Sequence, residues 1–274
     1  MSEGIYTAVL VDTRINDLFE LVLDNFYNRL DKRWNFMLFC STNNKDFLYN
    51  LINTTFSKDK YRTTLVVLDI GNNPIGNNIF YNEIRTFIDY DYSKLMTDAT
   101  FYNLIPTEMM LIFQLDTLLS DKYHNNIYNF MDYDYVGSPW KDKNFGGNGG
   151  LSLRRKSKML EIINDKNYDK NKPDFYYFED GYFCNYPNIN MPEREISKTF
   201  SVESYHYDKS AGIHKSFCFS TPEQYEELIS HIPRLYELQV KWCQLNTISQ
   251  NYRPNLDGSY KTDFFSKYEV IQFF

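Results

Sequence analysis

The residues with the most chemistry in them stand at four places in the chain. The first is LIFQLDTLL, Leu111 to Leu119, where an apolar run delivers Asp116 and Thr117 toward solvent. A hard divalent cation takes oxygen ligands, and one protein carboxylate plus substrate phosphates is the usual Mg²⁺ or Mn²⁺ arrangement. Asp116 therefore reads either as such a ligand or as the cap of the next turn. The second is FYYFEDGYFC, Phe175 to Cys184, in which Glu179 and Asp180 interrupt an aromatic run. Burial among aromatic rings raises a carboxylate pKa and suits it to general-base work. Adjacent acids point different ways on a helix or a strand, so one of the two at most faces a given site; a solvated loop pair is the other reading. The third is SVESYHYDKSAGIHKSF, where His206 or His214 could join Asp116 on a metal, imidazole being a good Mn²⁺ ligand, or serve only as a structural or surface residue.

The fourth place is YDYVGSPW, Tyr133 to Trp140, followed by GGNGGLSLRR, Gly146 to Arg155. Clustered glycine lets a backbone approach a ligand closely or take positive φ, and it argues against an ordinary strand. The Gly-rich stretch reads as a loop at a sheet edge, leading into a strand at Leu151 to Leu153. Trp140 either stacks on a sugar ring or packs as core. Several chemistries are excluded. There is no GK[ST] after the glycines, no GxGxxG in a strand–turn–helix setting, no GxSxG elbow, HExxH, EF-hand loop or Cys/His nucleophile arrangement. A two-metal phosphoesterase needs more clustered acids and histidines than are present.

The elements that must position these groups follow from periodicity. Thr7–Val11 is a short, nearly continuous apolar run, as in a strand buried on both faces. Ile15, Leu18, Phe19, Val22, Phe26 and Leu30 then recur at helical spacing, with Asp12 or Thr13 as the expected cap. Strands are predicted at Phe36–Cys40, Thr64–Asp69 and Met109–Leu115, and helices near Asp46–Ile52 and through Glu83, Ile84, Phe87 and Leu95, after a turn-rich Gly71–Asn78. Strand, helix, strand, helix, strand is the order of a Rossmann-like half-domain, which binds ligands at the carboxyl ends of its strands. Those ends carry Asp12, Thr13 and Arg14, then Ser41, then Asp69, then Asp116 and Thr117. A helix is expected at Lys156–Asn164. Thr221-Pro222-Glu223-Gln224 is a strong start signal for another, and Pro233 opens a last one to about Asn246. The final 25 residues read as a polar tail along the surface.

Length and composition bound the rest. At 274 residues, 43% hydrophobic and 24% charged, the chain is long enough for one large packed domain and is not a disordered segment. A net charge of −7 argues against non-specific nucleic-acid binding, which needs a strong basic field. The four cysteines, Cys40, Cys184, Cys218 and Cys243, have no metal-ligand spacing and read as reduced thiols. No stretch reaches the ~18 apolar residues of a membrane span, and Glu3 stands where a secretory leader is basic. The reading is a cytoplasmic protein. Its 28 Asn, 24 Tyr and 22 Phe match an A+T-rich genome, hence a low-G+C microbe or a virus, in which case host-cytoplasmic or virus-associated.

Taken together and in order, VDTR (Val11 to Arg14), YSKLM (Tyr92 to Met96), LIFQLDT (Leu111 to Thr117), YDYVGSPW, GNGGLSLR (Gly147 to Arg154) and FED (Phe178 to Asp180) resemble a family of glycosyltransferase-like domains of bacteria, fungi and giant DNA viruses, of the GT-A type. The resemblance runs from about residue 7 to 219. It implies an α/β fold, a GT-A-like, Rossmann-type mixed sheet flanked by helices with a helical C-terminal part. Residues 1–220 would form the catalytic domain, 1–120 its nucleotide-binding half and 121–220 its acceptor half, with 221–274 packed on it. It implies a hexosyltransferase-like enzyme that moves a sugar from a nucleotide-sugar, a UDP-sugar foremost, to a glycan or glycoprotein acceptor with inversion. Asp116 and His214 would hold Mn²⁺ or Mg²⁺. Thr13 and Arg14 would lie beside the nucleotide, Lys94 near the diphosphate, and Gly149 and Gly150 at the border of donor and acceptor. Asp180, or failing it Glu179, would be the catalytic base, and Trp140 and Asn148 would contact substrate. One position departs: Gln114 replaces the first acid of the DxD signature, leaving one carboxylate fewer at the metal and ribose. A sugar- or nucleotide-binding protein on a decayed scaffold of this kind is the alternative.

Overall fold

A computed structural model describes residues 4–69, 92–141, 143, 147–168, 178–249 and 267–273. The predicted turn at Gly71–Asn78 and the helical positions Glu83, Ile84 and Phe87 lie outside the described residues.

Strands β1 (Tyr6–Val11), β2 (Trp34–Ser41), β3 (Thr63–Leu68) and β4 (Met109–Phe113) run parallel in the spatial order β3-β2-β1-β4. Beyond β4 the sheet turns antiparallel through β7 (Asn148–Arg155) and then β6 (Tyr135–Ser138). At the opposite edge β10 (Tyr268–Gln272) pairs antiparallel with β3 and makes the sheet seven-stranded. A second sheet of three short strands has β9 (Gly212–His214) between β5 (Thr117–Leu119) and β8 (Ser201–Val202).

The apolar runs are continuous because both faces of the large sheet are covered. Side chains alternate along each strand, and the alternation sorts them into two cores. Ala8, Leu10, Phe36, Leu38, Leu111 and Phe113 join the face packed by α1 (Leu18–Arg29), α2 (Lys45–Thr54) and the second sheet. Val9, Val11, Met37, Phe39, Met110 and Ile112 join the other, under the helical residues 92–96, α3 (Ala99–Leu104), α4 (Lys156–Asn164) and α5 (Glu179–Cys184). A short helix α6 (Arg194–Ser197) precedes β8. Two helices close the first face, α7 (Pro222–Ile229) and α8 (Leu235–Ser249). Thr221 starts α7 with a complete capping box, its hydroxyl on the Gln224 N–H and the Gln224 side chain on the Thr221 N–H.

Four expectations change. Asp12 and Thr13 do not cap α1. Asn16 Oδ1 accepts the Leu18 N–H instead, while Asp12 turns to Arg14. The fourth strand stops at Phe113 rather than Leu115, because residues 114–117 form a turn in which the Thr117 N–H and hydroxyl both donate to the Gln114 carbonyl. The chain then leaves the large sheet for the small one as β5. The Asn148-Gly149-Gly150 part of the Gly-rich stretch is not loop but the first turnless residues of β7, an inner strand between β4 and β6. The end of the polar tail is an edge strand, β10, tied by Lys45 to Glu269 at 2.6 Å and by stacking of Tyr49 on Phe273. Among the described residues no helix is long and apolar enough to cross a membrane.

Candidate active site

Asp116 sits in the tight turn between β4 and β5, and the turn is held from below. Asn25, buried on α1, donates to the Leu119 carbonyl at 3.1 Å and accepts the Leu119 N–H at 2.7 Å. A buried amide that pairs fully with a strand fixes that strand's position, since a slip would strand both polar groups away from water. The second sheet then gathers three polar residues. Thr117 lies opposite His214 in the β5–β9 pair, and the β8–β9 pair, which ends at Val202 opposite Ile213, delivers Glu203 next to it. The outcome is His214 between two carboxylates, with Nε2 3.3 Å from Asp116 Oδ1 and Nδ1 3.4 Å from Glu203 Oε1. All three side chains are at least nine-tenths buried. Burial by itself would lower the imidazole pKa; the Asp116 charge and contact, then Glu203, outweigh it and raise His214 to about 9.

Gly149 and Gly150 separate this cluster from a second one. Both lie past the last pair that β7 makes with β4, Phe113 with Leu151, so they border the end of the sheet where the 114–117 turn departs. A side chain at Gly150 would overlap His214 Nε2 and Gln114 Oε1, and one at Gly149 would overlap Glu179 Oε1. Glycine is required at both positions because polar groups occupy the space a Cβ would take. On the Gly149 side, the Gly149 N–H donates to Asp180 Oδ2 at 3.1 Å and the Gly181 N–H to Asp180 Oδ1 at 2.6 Å. Glu179 is held differently. Its Oε1 accepts from the fully buried Arg154 at 3.1 Å, and its Oε2 from Ser93 at 3.4 Å. Burial first, and the neighbouring Glu179 charge second, raise the Asp180 pKa from 3.8 to about 7, although the two N–H donors oppose the rise.

The other candidates fall around these clusters. Asp12 forms a bidentate pair with Arg14, at 3.0 and 2.6 Å, and Asn44 braces the loop by donating to the Asp12 and Arg14 carbonyls. Thr13, buried between them, stands at the carboxyl end of β1, the parallel neighbour of β4. Lys94, partly exposed, follows Ser93 and so borders the Glu179 side. Both amide atoms of Asn148 are engaged within the chain, Oδ1 by the Gly150 N–H at 2.8 Å and Nδ2 by Glu203 at 3.3 Å. Trp140 is partly buried against the α4–α5 core, with the Lys143 ammonium 4.9 Å from its ring centre. His206 is not brought to Asp116; its Nε2 pairs with Glu227 at 2.8 Å on the outer surface. Glu203 and Arg154 were not singled out from sequence. Both stand inside quoted segments, and a charged residue in the period-two pattern of a buried strand was the available signal for Arg154.

Among the described residues no three His, Cys, Asp or Glu side chains converge to hold an ion. Glu203 is on the far side of the imidazole, leaving Asp116 and Nε2 as a pair. That pair still suits a hard cation that keeps waters or substrate oxygens in its remaining positions. His214 Nε2 is buried without a completed hydrogen bond, and the cradle at Gly150 keeps the space before it clear of a Cβ.

A mixed α/β protein with an acid–imidazole pair and a glycine-lined strand at the carboxyl end of its parallel strands is the class that these features define. Residues 78–219 match the family described as a protein of unknown function, DUF5672, and the chain belongs to that family. No curated protein sequence matches it. Solved structures similar to it include HddC from Yersinia pseudotuberculosis, at 12% identity and TM-score 0.42, over 82% of this chain and 98% of that one. The galactosyltransferase LgtC in complex with donor and acceptor sugar analogs is similar at 11% identity and TM-score 0.42, covering 82% and 96%. The mannosyltransferase PcManGT from Pyrobaculum calidifontis, in complex with GDP-Man and Mn²⁺, is similar at 12% and 0.42, covering 91% and 76%.

Proposed function

We propose that the chain is a metal-assisted glycosyltransferase that moves a sugar from a nucleotide-sugar, a UDP-sugar foremost, to a hydroxyl of a glycan or glycoprotein, with inversion. The observation that carries this reading is the convergence of QLD, GNGG, FED and IH, spread over 100 residues of sequence, on one glycine pair. On one side of that pair Asp116 Oδ1 and His214 Nε2 stand 3.3 Å apart; on the other, Asp180 accepts the Gly149 N–H.

Each part has a task in glycosyl transfer. Asp116 and His214 would hold Mn²⁺ or Mg²⁺, which when bound neutralises the leaving diphosphate as a Lewis acid. Gln114 offers that region a neutral amide where a second carboxylate would otherwise add charge. Asp180 takes the proton of the attacking hydroxyl, and a pKa near 7 matches a base to a neutral medium. Glu179, committed to Arg154, orients the helix turn that carries Asp180. Thr13, Arg14 and Lys94 line the nucleotide side, Gly149 and Gly150 let the donor approach the backbone, and Trp140 flanks the acceptor.

The test is thermal stability against UDP-, GDP-, CMP- and dTDP-sugars with Mn²⁺ or with EDTA, followed by a transfer assay. A donor at 100 times its dissociation constant adds about 2.7 kcal/mol. The reading requires stabilisation by one nucleotide class, lost in EDTA and in Asp116→Asn, and turnover lost in Asp180→Asn. Donor binding with no turnover, indifferent to Asp180→Asn, would instead establish the binding protein on a decayed scaffold.

A further inference from the structure

Glu203 is a buried carboxylate that the proposed transfer gives no task, and its surroundings supply one. Its Oε1 meets two groups, the His214 Nδ1 at 3.4 Å and the Asn148 amide at 3.3 Å. Asn148 in turn accepts the Gly150 N–H at 2.8 Å, and a Cβ on Gly150 would overlap the His214 ring at Nε2 and Cδ2. These contacts close a ring, Glu203–His214–Gly150–Asn148, in which the imidazole is held from one edge and faced by a bare backbone at the other. The β8–β9 register delivers Glu203 to that edge, just as the β5–β9 register delivers Asp116 to the opposite one.

An imidazole that binds a cation through one nitrogen is oriented by what its other nitrogen donates to, and a carboxylate there fixes the tautomer and strengthens the ligand. We infer that Glu203 is the positioning residue of His214. Its carboxylate, 3.4 Å from Nδ1 and short of a completed hydrogen bond, favours the proton on that nitrogen and so leaves Nε2 as the one turned to the space beside Asp116, and through Asn148 it sets the ring in register with the backbone of Gly150. The inference rests on the reading of Asp116 and His214 as a cation seat.

Mn²⁺ alone is the probe, with binding to the full chain read by water-proton relaxation, which reports weak Mn²⁺ sites without any donor or turnover. Three variants decide. Asp116→Asn is expected to lose the Mn²⁺ site. Glu203→Met, similar in volume but without an acceptor, is expected to weaken it about 10–100-fold, the usual cost of removing such a partner. Glu203→Gln keeps an oxygen toward Nδ1 and loses the charge, so it should fall between wild type and Glu203→Met; this partial rescue is what a merely space-filling Glu203 would not give. If Asp116→Asn loses Mn²⁺ while both Glu203 variants bind as wild type does, the positioning role is overturned and the cation seat stands. If Asp116→Asn binds as wild type does, both fall. Should Glu203→Met not fold, Glu203→Gln decides alone, and wild-type affinity there overturns the role.

Discussion

Gly149 and Gly150 are consecutive residues of one strand, yet the clusters they face are built on opposite principles. On the Gly149 side a buried guanidinium, Arg154, meets a buried carboxylate, Glu179, at 3.1 Å, and Ser93 adds a second donor. Arg154 also donates to Ser152 at 3.0 Å and lies over the rings of Tyr135 and Phe183. That charge pair is closed on itself; its protein partners satisfy it. On the Gly150 side one imidazole is set between two carboxylates, with contacts of 3.3 and 3.4 Å and neither ring nitrogen completing a hydrogen bond. Acids stand on both sides, but on one they surround a guanidinium whose hydrogen bonds are made, and on the other an imidazole whose two ring nitrogens complete none. Asp180 shares a helix turn with Glu179 but is held by the Gly149 and Gly181 N–H groups rather than by Arg154.

The comparison can be broken most severely at Asp180. The proposed function makes it the general base, a role worth about 10²–10⁴-fold, so on that proposal Asp180→Asn loses that much of kcat/KM while Mn²⁺ binding is kept. In the wild type kcat/KM should climb as pH rises through about 7, where the carboxyl ionises, and level off above it. Stability runs the other way. A raised folded pKa means that the neutral carboxyl favours the fold fully below the ordinary value of 3.8, and that this contribution is lost as pH rises through 7. Urea unfolding should therefore show Asp180→Asn gaining on wild type between pH 5 and pH 8, and parallel curves would refute the buried-carboxyl account.

Next in size is Arg154→Met. Removing one partner of a buried pair leaves an uncompensated charge, and about 3–5 kcal/mol of stability should go. Asp116→Asn takes one of two carboxylates from His214 and leaves Glu203 at 3.4 Å, so its loss in the urea midpoint should be smaller. Equal losses would mean that the two charged clusters brace the fold alike.

Smaller effects are expected from the glycines. Gly149→Ala pushes against Glu179 and should cost about 1–3 kcal/mol as overpacking. Gly150→Ala pushes instead on His214 and Gln114, and its larger effect should be on Mn²⁺ affinity. The smallest change is Ser93→Ala, which removes two long contacts, the hydroxyl's to Glu179 Oε2 at 3.4 Å and the Glu179 N–H's to the hydroxyl at 3.3 Å, about 0.5–1.5 kcal/mol by thermal unfolding. A loss as large as that of Arg154→Met would mean that Ser93, rather than Arg154, closes the pair.

Much of this was legible in the sequence. The runs at Thr7–Val11 and Met109–Phe113, the helix at Lys156–Asn164 and the Thr221 capping box follow from local rules, because side-chain period and caps are set within a few residues. The same holds for the residue types of the site, Asp116, Asp180 and His214, which stand in apolar or aromatic runs where polar groups are costly. Local pattern in the chain was enough for the four parallel strands, the longer helices and most of the groups able to do chemistry. Which acid of Glu179-Asp180 is spent on Arg154, and that His214 rather than His206 meets Asp116, came from the folded arrangement. It alone put Glu203 behind the ring and turned the tail's end into β10. Each of these depends on pairing between segments far apart in the chain, where strand register and the satisfaction of buried charge are settled by the whole fold and leave no local trace.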